Sequence, residues 1–378
     1  MLGLPNVLGS AWPAMYEQLD VSTASAGIIS MILSAATICG ALLCDKMIKS
    51  IGAGRLTLIS LLVTATSLIG FSMGRHFILL CLWSIPLGVG MGFIDASLNN
   101  VVALHYKAIH MSWLHAFWGV GASIGPMIMS FFLVSQNSWE AGYRSIGLIQ
   151  FAFIIIFLLM FKLWKKIPTT FADTEEVGQK SSSMKQLLKL PGVKQSLLIF
   201  FFYCALEATV GLWASSYLVI TKQISEEVAA LWVALYFGGI TVGRFMAGFL
   251  TMKLSHKKLI GLGSGLVGLG VAFLFFPVPE SYLLIALFLI GFGCAPIFPS
   301  LMHETPNNFG TKNSQAIIGI QMAFAYMGSM FMPPLFGVIA EQTSYYLFPF
   351  YLAGFLVLMV VMTGWLYQLV GRKDSLKQ

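Results

Sequence analysis

Charge is what this chain has least of. Of its 378 residues 15 are Asp or Glu and 22 are Lys or Arg, so 10% are charged, against about 25% in a soluble globular protein. That scarcity excludes an ordinary water-soluble enzyme, a disordered regulator and a nucleic-acid binder. The net charge of +7 comes from basic residues gathered in short loops. Cysteine is also scarce. Cys39, Cys44, Cys81, Cys204 and Cys294 lie in apolar runs, without Cys-x-x-Cys spacing or histidine pairing. They read as small packing residues, neither a disulfide framework nor a metal site. The chain contains no GxxxxGK[ST] phosphate loop, no HExxH and no nucleophile–base pair. Nothing therefore points to ATP hydrolysis, a membrane zinc protease or an intramembrane enzyme, and no cofactor is expected.

Apolar sequence is what the chain has in abundance, with 57% hydrophobic residues. A helix needs roughly 20 apolar residues to cross about 30 Å of hydrocarbon. Runs of that kind fall near 23–44, 56–73, 77–104, 111–135, 144–164, 195–220, 228–251, 258–277, 281–303, 314–340 and 345–370. A further apolar stretch, from Met1 to about Tyr16, is too short to span and lacks the basic start of a signal peptide. It reads as the outer half of a first helix, left incomplete by truncation or by a late start codon. The expectation is an all-α polytopic membrane protein of twelve spans, the first truncated.

Lysine and arginine placement sets the orientation. The loops at 45–55, 105–110, 162–194, 252–258 and 304–313 and the tail from 371 hold 18 of the 22 basic residues. Arg75, Arg144 and Lys222 fall on the other side, and Arg244 lies within a helix. This places the protein in the cytoplasmic (inner) membrane as a multi-pass chain with a cytoplasmic C-terminus. The one extended polar segment, Lys165–Lys194, divides it into an N-terminal six-helix half (1–164), a cytoplasmic linker (165–194) and a C-terminal six-helix half with its tail (195–378). Within the linker Met184–Leu190 offers a short amphipathic surface helix, though a plain tether is the simpler reading.

The two halves repeat. Leu87-Gly88-Val89-Gly90 through Asp95-Ala96-Ser97-Leu98 aligns with Ile290-Gly291-Phe292-Gly293 through Phe298-Pro299-Ser300-Leu301. One span later, Gly121 and Pro126 match Gly328 and Pro333. Two parallel halves with a ligand site near the bilayer midplane are the architecture of many secondary transporters.

These residues resemble the major facilitator superfamily. Asp45-Lys46, Lys49, Gly52 and Arg55 resemble its loop signature between spans two and three, with Ala41 where a glycine is usual. Gly121-x-x-x-Gly125-Pro126 resembles a second motif of the superfamily. Gly243-Arg244-Phe245, Ala295-Pro296-Ile297-Phe298-Pro299 and an acid in the middle of span four are similar to the fucose permease branch of sugar:proton symporters. The resemblance implies the major facilitator fold of two six-helix halves, a sugar as cargo and protons as the coupling ion.

Charges at membrane depth are functional candidates by default. At about 1.5 Å per residue, Asp95 lies roughly 14 Å from the inner end of span four and Glu207 roughly 18 Å into span seven. Gly88, Gly92, Asp95 and Asn99 follow at i, i+4, i+7 and i+11, one helical stripe expected to face the protein interior. The bland reading of that stripe is helix packing; the functional one is a cavity wall with a carboxyl that gains and loses a proton. The resemblance assigns the acid at this place to proton coupling. The same branch often has an acid in span one, where this chain offers Asn6. Glu207 reads equally as a second proton-handling acid or as a hydrogen-bonding group that shapes span seven.

Arg244 and Asp45 are expected to serve as gate residues, with Glu304 a partner for either. Asn6, Asn99, Trp118, Trp213, Tyr236 and Gln321 form the expected solute-binding set, because sugars offer apolar C–H faces to aromatic rings and hydroxyls to amides. The expected partners are a small polar solute, protons and the bilayer, with no nucleic acid and the chain acting as a monomer. A proton-driven exporter of drugs or metabolites on the same fold is the alternative, and a non-transporting receptor the rival outside transport.

Overall fold

The computed structural model describes residues 6–105, 108–161, 184–251, 253–276 and 279–375. Regular structure among them is helical: α1 (Leu8–Gln18), α2 (Ser25–Ile51), α3 (Ala53–Ser72), α4 (Phe77–His105), α5 (Ala108–Gln136), α6 (Trp139–Leu159), α7 (Met184–Leu187), α8 (Val193–Lys222), α9 (Glu226–Leu250), α10 (His256–Phe275), α11 (Glu280–Cys294), α12 (Ile297–Phe309), α13 (Thr311–Gln342) and α14 (Phe348–Ser375). Among the described residues eleven stretches are, by length and composition, able to cross a membrane. They coincide with the eleven long apolar runs, because a helix satisfies its own backbone hydrogen bonds where water is absent. The short first run becomes α1, which has 11 residues and Pro13 inside it.

Part of the linker, 165–183, lies outside the described residues. Its end is a four-residue turn of helix, α7, shorter than the surface helix offered by Met184–Leu190. Span ten also differs from one continuous helix. It breaks between α11 and α12 at Ala295 and Pro296, since proline has no N–H to donate and crowds the preceding turn. Gly52 and Gly310, both at φ 85°, end α2 and α12. Each donates its N–H back to the last turn, to Ile48 and Pro306. A side chain is disfavoured in that left-handed conformation.

The chain divides into two compact units. The first comprises 1–174 with residues 212–238 and 337–345, so it gathers α1–α6, the α8–α9 turn and the end of α13. Within it α4 packs on α2 and α3, and α6 on α3. Gly88 and Gly92 of α4 lie against the α2 backbone at Leu33 and Thr37, too close for a side chain. Small residues let membrane helices approach in this way. A buried aromatic group, Phe71, Trp139 and Tyr143, ties α3 to α6. Trp139 Nε1 donates to Gln18 Oε1 at 2.7 Å and Trp12 Nε1 to the Thr23 carbonyl at 2.7 Å, which anchors α1. Ser130 Oγ donates to the Glu227 carbonyl at 2.7 Å, and Gly337 lies against Ala24 and the Trp213 ring.

The second unit comprises 175–211, 239–336 and 346–378. Gly263 of α10 and Gly293 of α11 face each other at backbone contact. In both units large apolar side chains are exposed, such as Leu42, Leu148 and Leu159 in the first and Phe249 in the second. A soluble protein rarely presents so much apolar surface.

Candidate functional site

In the first unit the mid-membrane stripe of α4 does two jobs. Gly88 and Gly92 serve packing, as the bland reading held. Asp95 and Asn99 continue the stripe and are half-buried. Asn99 Nδ2 donates to Asp95 Oδ1 at 3.1 Å, an i, i+4 bond within one helix. Among the described residues no lysine or arginine pairs with Asp95, and the buried Asn99 Oδ1 has no hydrogen-bond partner. A carboxyl in this setting is costly to keep charged, and the amide leaves an acceptor open beside it. Chemically the Asp95 carboxyl is able to take up a proton, and the open Asn99 Oδ1 is able to accept a hydrogen bond from a hydroxyl.

Trp118 of α5 is half-buried and meets Phe237 of α9 edge-on, with ring centroids 6.4 Å apart. Asn6 precedes α1 and is also half-buried. Two other members of the expected solute-binding set are placed differently. Trp213 and Tyr236 are fully buried, at 0% exposure. Trp213 packs on Tyr345 with centroids 6.0 Å apart. In this conformation no solute reaches either ring.

In the second unit Arg244 Nη2 lies 3.7 Å from Glu207 Oε1, each side chain 19% exposed. The gate reading gave Arg244 an acid at an inner helix end as partner. The structure instead joins Arg244, within two turns of the end of α9, to Glu207 of α8, and a cation and an anion both partly withdrawn from water attract each other. Glu304 is engaged elsewhere, accepting from Tyr367 Oη at 2.8 Å. Asp45 lies near the end of α2, and its side chain is outside the described residues.

Gln321 is also fully buried. Its Nε2 donates to Ser196 Oγ at 2.5 Å and its Oε1 accepts from Thr305 Oγ1 at 3.1 Å. The amide thus ties α8, α12 and α13 together, and its polar atoms are aimed at protein. Tyr203 was not singled out by sequence reasoning. Its hydroxyl donates to the Cys294 carbonyl at 3.0 Å, at the α11–α12 break. The Ala295-Pro296 pair was the signal for that break, since a chain interrupted by proline leaves carbonyls free for other donors.

The sequence profile of the Major Facilitator Superfamily matches residues 5–221 and again 196–378. The chain belongs to the Major Facilitator Superfamily. Bypass of stop codon protein 6 of Saccharomyces cerevisiae is 24% identical, the match covering 90% of this chain and 74% of that protein. The glucose/mannose transporter GlcP of Bacillus subtilis is 23% identical over 77% of this chain and 73% of its own. Among solved structures, the nucleoside transporter NupG, as its D323A mutant, superposes with a TM-score of 0.73 at 15% identity and covers 96% of both chains. This establishes the fold. The chain is a multi-pass membrane transporter of that superfamily.

Proposed function

We propose that this superfamily member is a secondary active transporter that carries a sugar across the cytoplasmic membrane by alternating access, coupled to protons through Asp95. The observation that carries the reading is the half-buried Asp95–Asn99 pair, a carboxyl at membrane depth bonded to an amide and paired with no cation among the described residues. A carboxyl kept for helix packing alone would be better replaced by a small apolar residue. Glu207 is the second proton-handling group, and its contact with Arg244 is the interaction that protonation would break. Asn99, Trp118 and Asn6 are the proposed sugar contacts, because each keeps some exposure. Trp213 and Tyr236 would join them only after a rearrangement that uncovers them, whereas the Gln321 amide serves packing through Ser196 and Thr305.

Sugar as cargo is supported by the similarity to a glucose/mannose transporter. Alternating access requires the Ser130–Glu227 and Gly337–Ala24 contacts to form and break in each cycle. Arg244 and Asp45 act in the gates, the C-terminus is cytoplasmic and the working unit is the monomer.

Proteoliposomes with labelled glucose or mannose and an inward proton gradient test this. The expected result is accumulation by the unaltered chain. Asp95→Asn should lose accumulation yet still exchange preloaded sugar. Full accumulation by Asp95→Asn would refute the coupling role. Flux of neither sugar would refute the cargo, and proton-driven efflux alone would favour an exporter.

A further inference from the structure

The outward faces of α5 and α6 border a shallow, open groove of about 590 Å³, lined by Ile124, Met127, Phe131, Ser145, Leu148 and Ile149 among others. All of it lies in the first unit, and its volume falls in the range of small-molecule sites. Phe131, Leu148 and Met127 are exposed along it.

Two charges follow the groove's α6 residues towards the N-terminal end of that helix. Arg144 is one residue before Ser145 and one turn before Leu148, towards the N-terminal end of α6. Its side chain is exposed and forms no ion pair among the described residues. It lies on the sparsely basic side of the membrane, so topology does not require it there. Glu140 is a further turn out, about 6 Å along the axis. Its Oε2 accepts from the N-cap residue Ser138 at 2.7 Å, and it is not within ion-pair distance of Arg144. From the groove to the helix end the order is therefore apolar, cationic, anionic.

A zwitterionic phospholipid has the complementary order, with acyl chain, phosphate and ammonium. We infer that this groove is a phospholipid-binding site in which an acyl chain lies along Met127, Phe131 and Leu148. Arg144 pairs with the phosphate and Glu140 with the headgroup ammonium. The arginine stem lies along apolar surface while its fork reaches the headgroup layer. Neither charge takes part in the transport site proposed above.

Native mass spectrometry of the full chain with added phosphatidylethanolamine or phosphatidylglycerol tests this. The expected result is one phosphatidylethanolamine retained after other lipids are stripped. Arg144→Gln should weaken retention about tenfold. Leu148→Trp should do the same by filling the groove without altering charge. Glu140→Gln should erase the preference for phosphatidylethanolamine. Equal retention in Arg144→Gln and Leu148→Trp would overturn the proposal, as would a preference for phosphatidylglycerol in the unaltered chain. A dimer lost on Leu148→Trp would assign the groove to a second copy of the chain and also overturn it.

Discussion

Arg244 of α9 and Glu207 of α8 face each other with Nη2 and Oε1 3.7 Å apart. Removing one partner takes this compensation from the other charge, whereas removing both takes away the need for it. Glu207→Gln and Arg244→Gln should each lower the thermal stability of the purified protein. The double variant should recover part of the loss, with a coupling energy of about 0.5–3 kcal/mol. Additive losses would mean that the two groups do not interact in the membrane.

Gln321 provides a sharper contrast between binding and packing. Its amide bonds Ser196 and Thr305, and side-chain hydrogen bonds in membranes are worth about 0.6 kcal/mol each on average. Gln321→Leu should cost about 1–2 kcal/mol, because Ser196 and Thr305 also lose a partner. Melting should fall while KM for the transported sugar stays near its original value. A large rise in KM at unchanged melting would make Gln321 a cargo contact.

Asn99 tests the coupling pair without touching the carboxyl. Asn99→Ala removes the amide that donates to Asp95 and also the open Oδ1. Loss of a sugar hydrogen bond from a buried acceptor should raise KM about tenfold, equivalent to about 1.4 kcal/mol. Transport kinetics in proteoliposomes provide the measurement. Unaltered KM would remove Asn99 from the sugar site.

Gly337 controls a close contact in the first unit. A Cβ there would stand 2.5 Å from the Trp213 ring and 3.4 Å from Ala24 Cα. Gly337→Leu should therefore force α13 away from the start of α2. In an Ala24→Cys background, reaction with a membrane-impermeant thiol reagent should speed up when Gly337→Leu is added. No change in labelling rate would mean that the helices absorb the side chain without separating.

Much of the fold is legible in the chain because hydrocarbon imposes a one-dimensional rule. The run at 56–73 becomes Ala53–Ser72, and that at 345–370 falls inside the Tyr345–Gly371 span. Depth along a helix follows the same rule, so Asp95 and Glu207 stand out among few charges without any tertiary information. The i, i+4 spacing brings Asn99 onto the face of Asp95, and the structure joins them. Proline in the Ala295-Pro296 pair is visible too, yet hydropathy stays high across it. The break therefore escapes a reading based on apolar length.

Partnerships across helices were not legible. Ser196 and Gln321 are 125 residues apart, and the rotation of each helix decides whether such groups meet. The same rotation paired Arg244 with Glu207 rather than with an acid at a helix end, and sealed Trp213 and Tyr236 away. By itself the amino-acid sequence marked out which stretches are long and apolar enough to cross and which of them carry charge, since each residue's transfer from water to oil is nearly independent of its neighbours. Tertiary structure alone decided which polar groups satisfy one another, because a side chain's partner is set by the packing of whole helices.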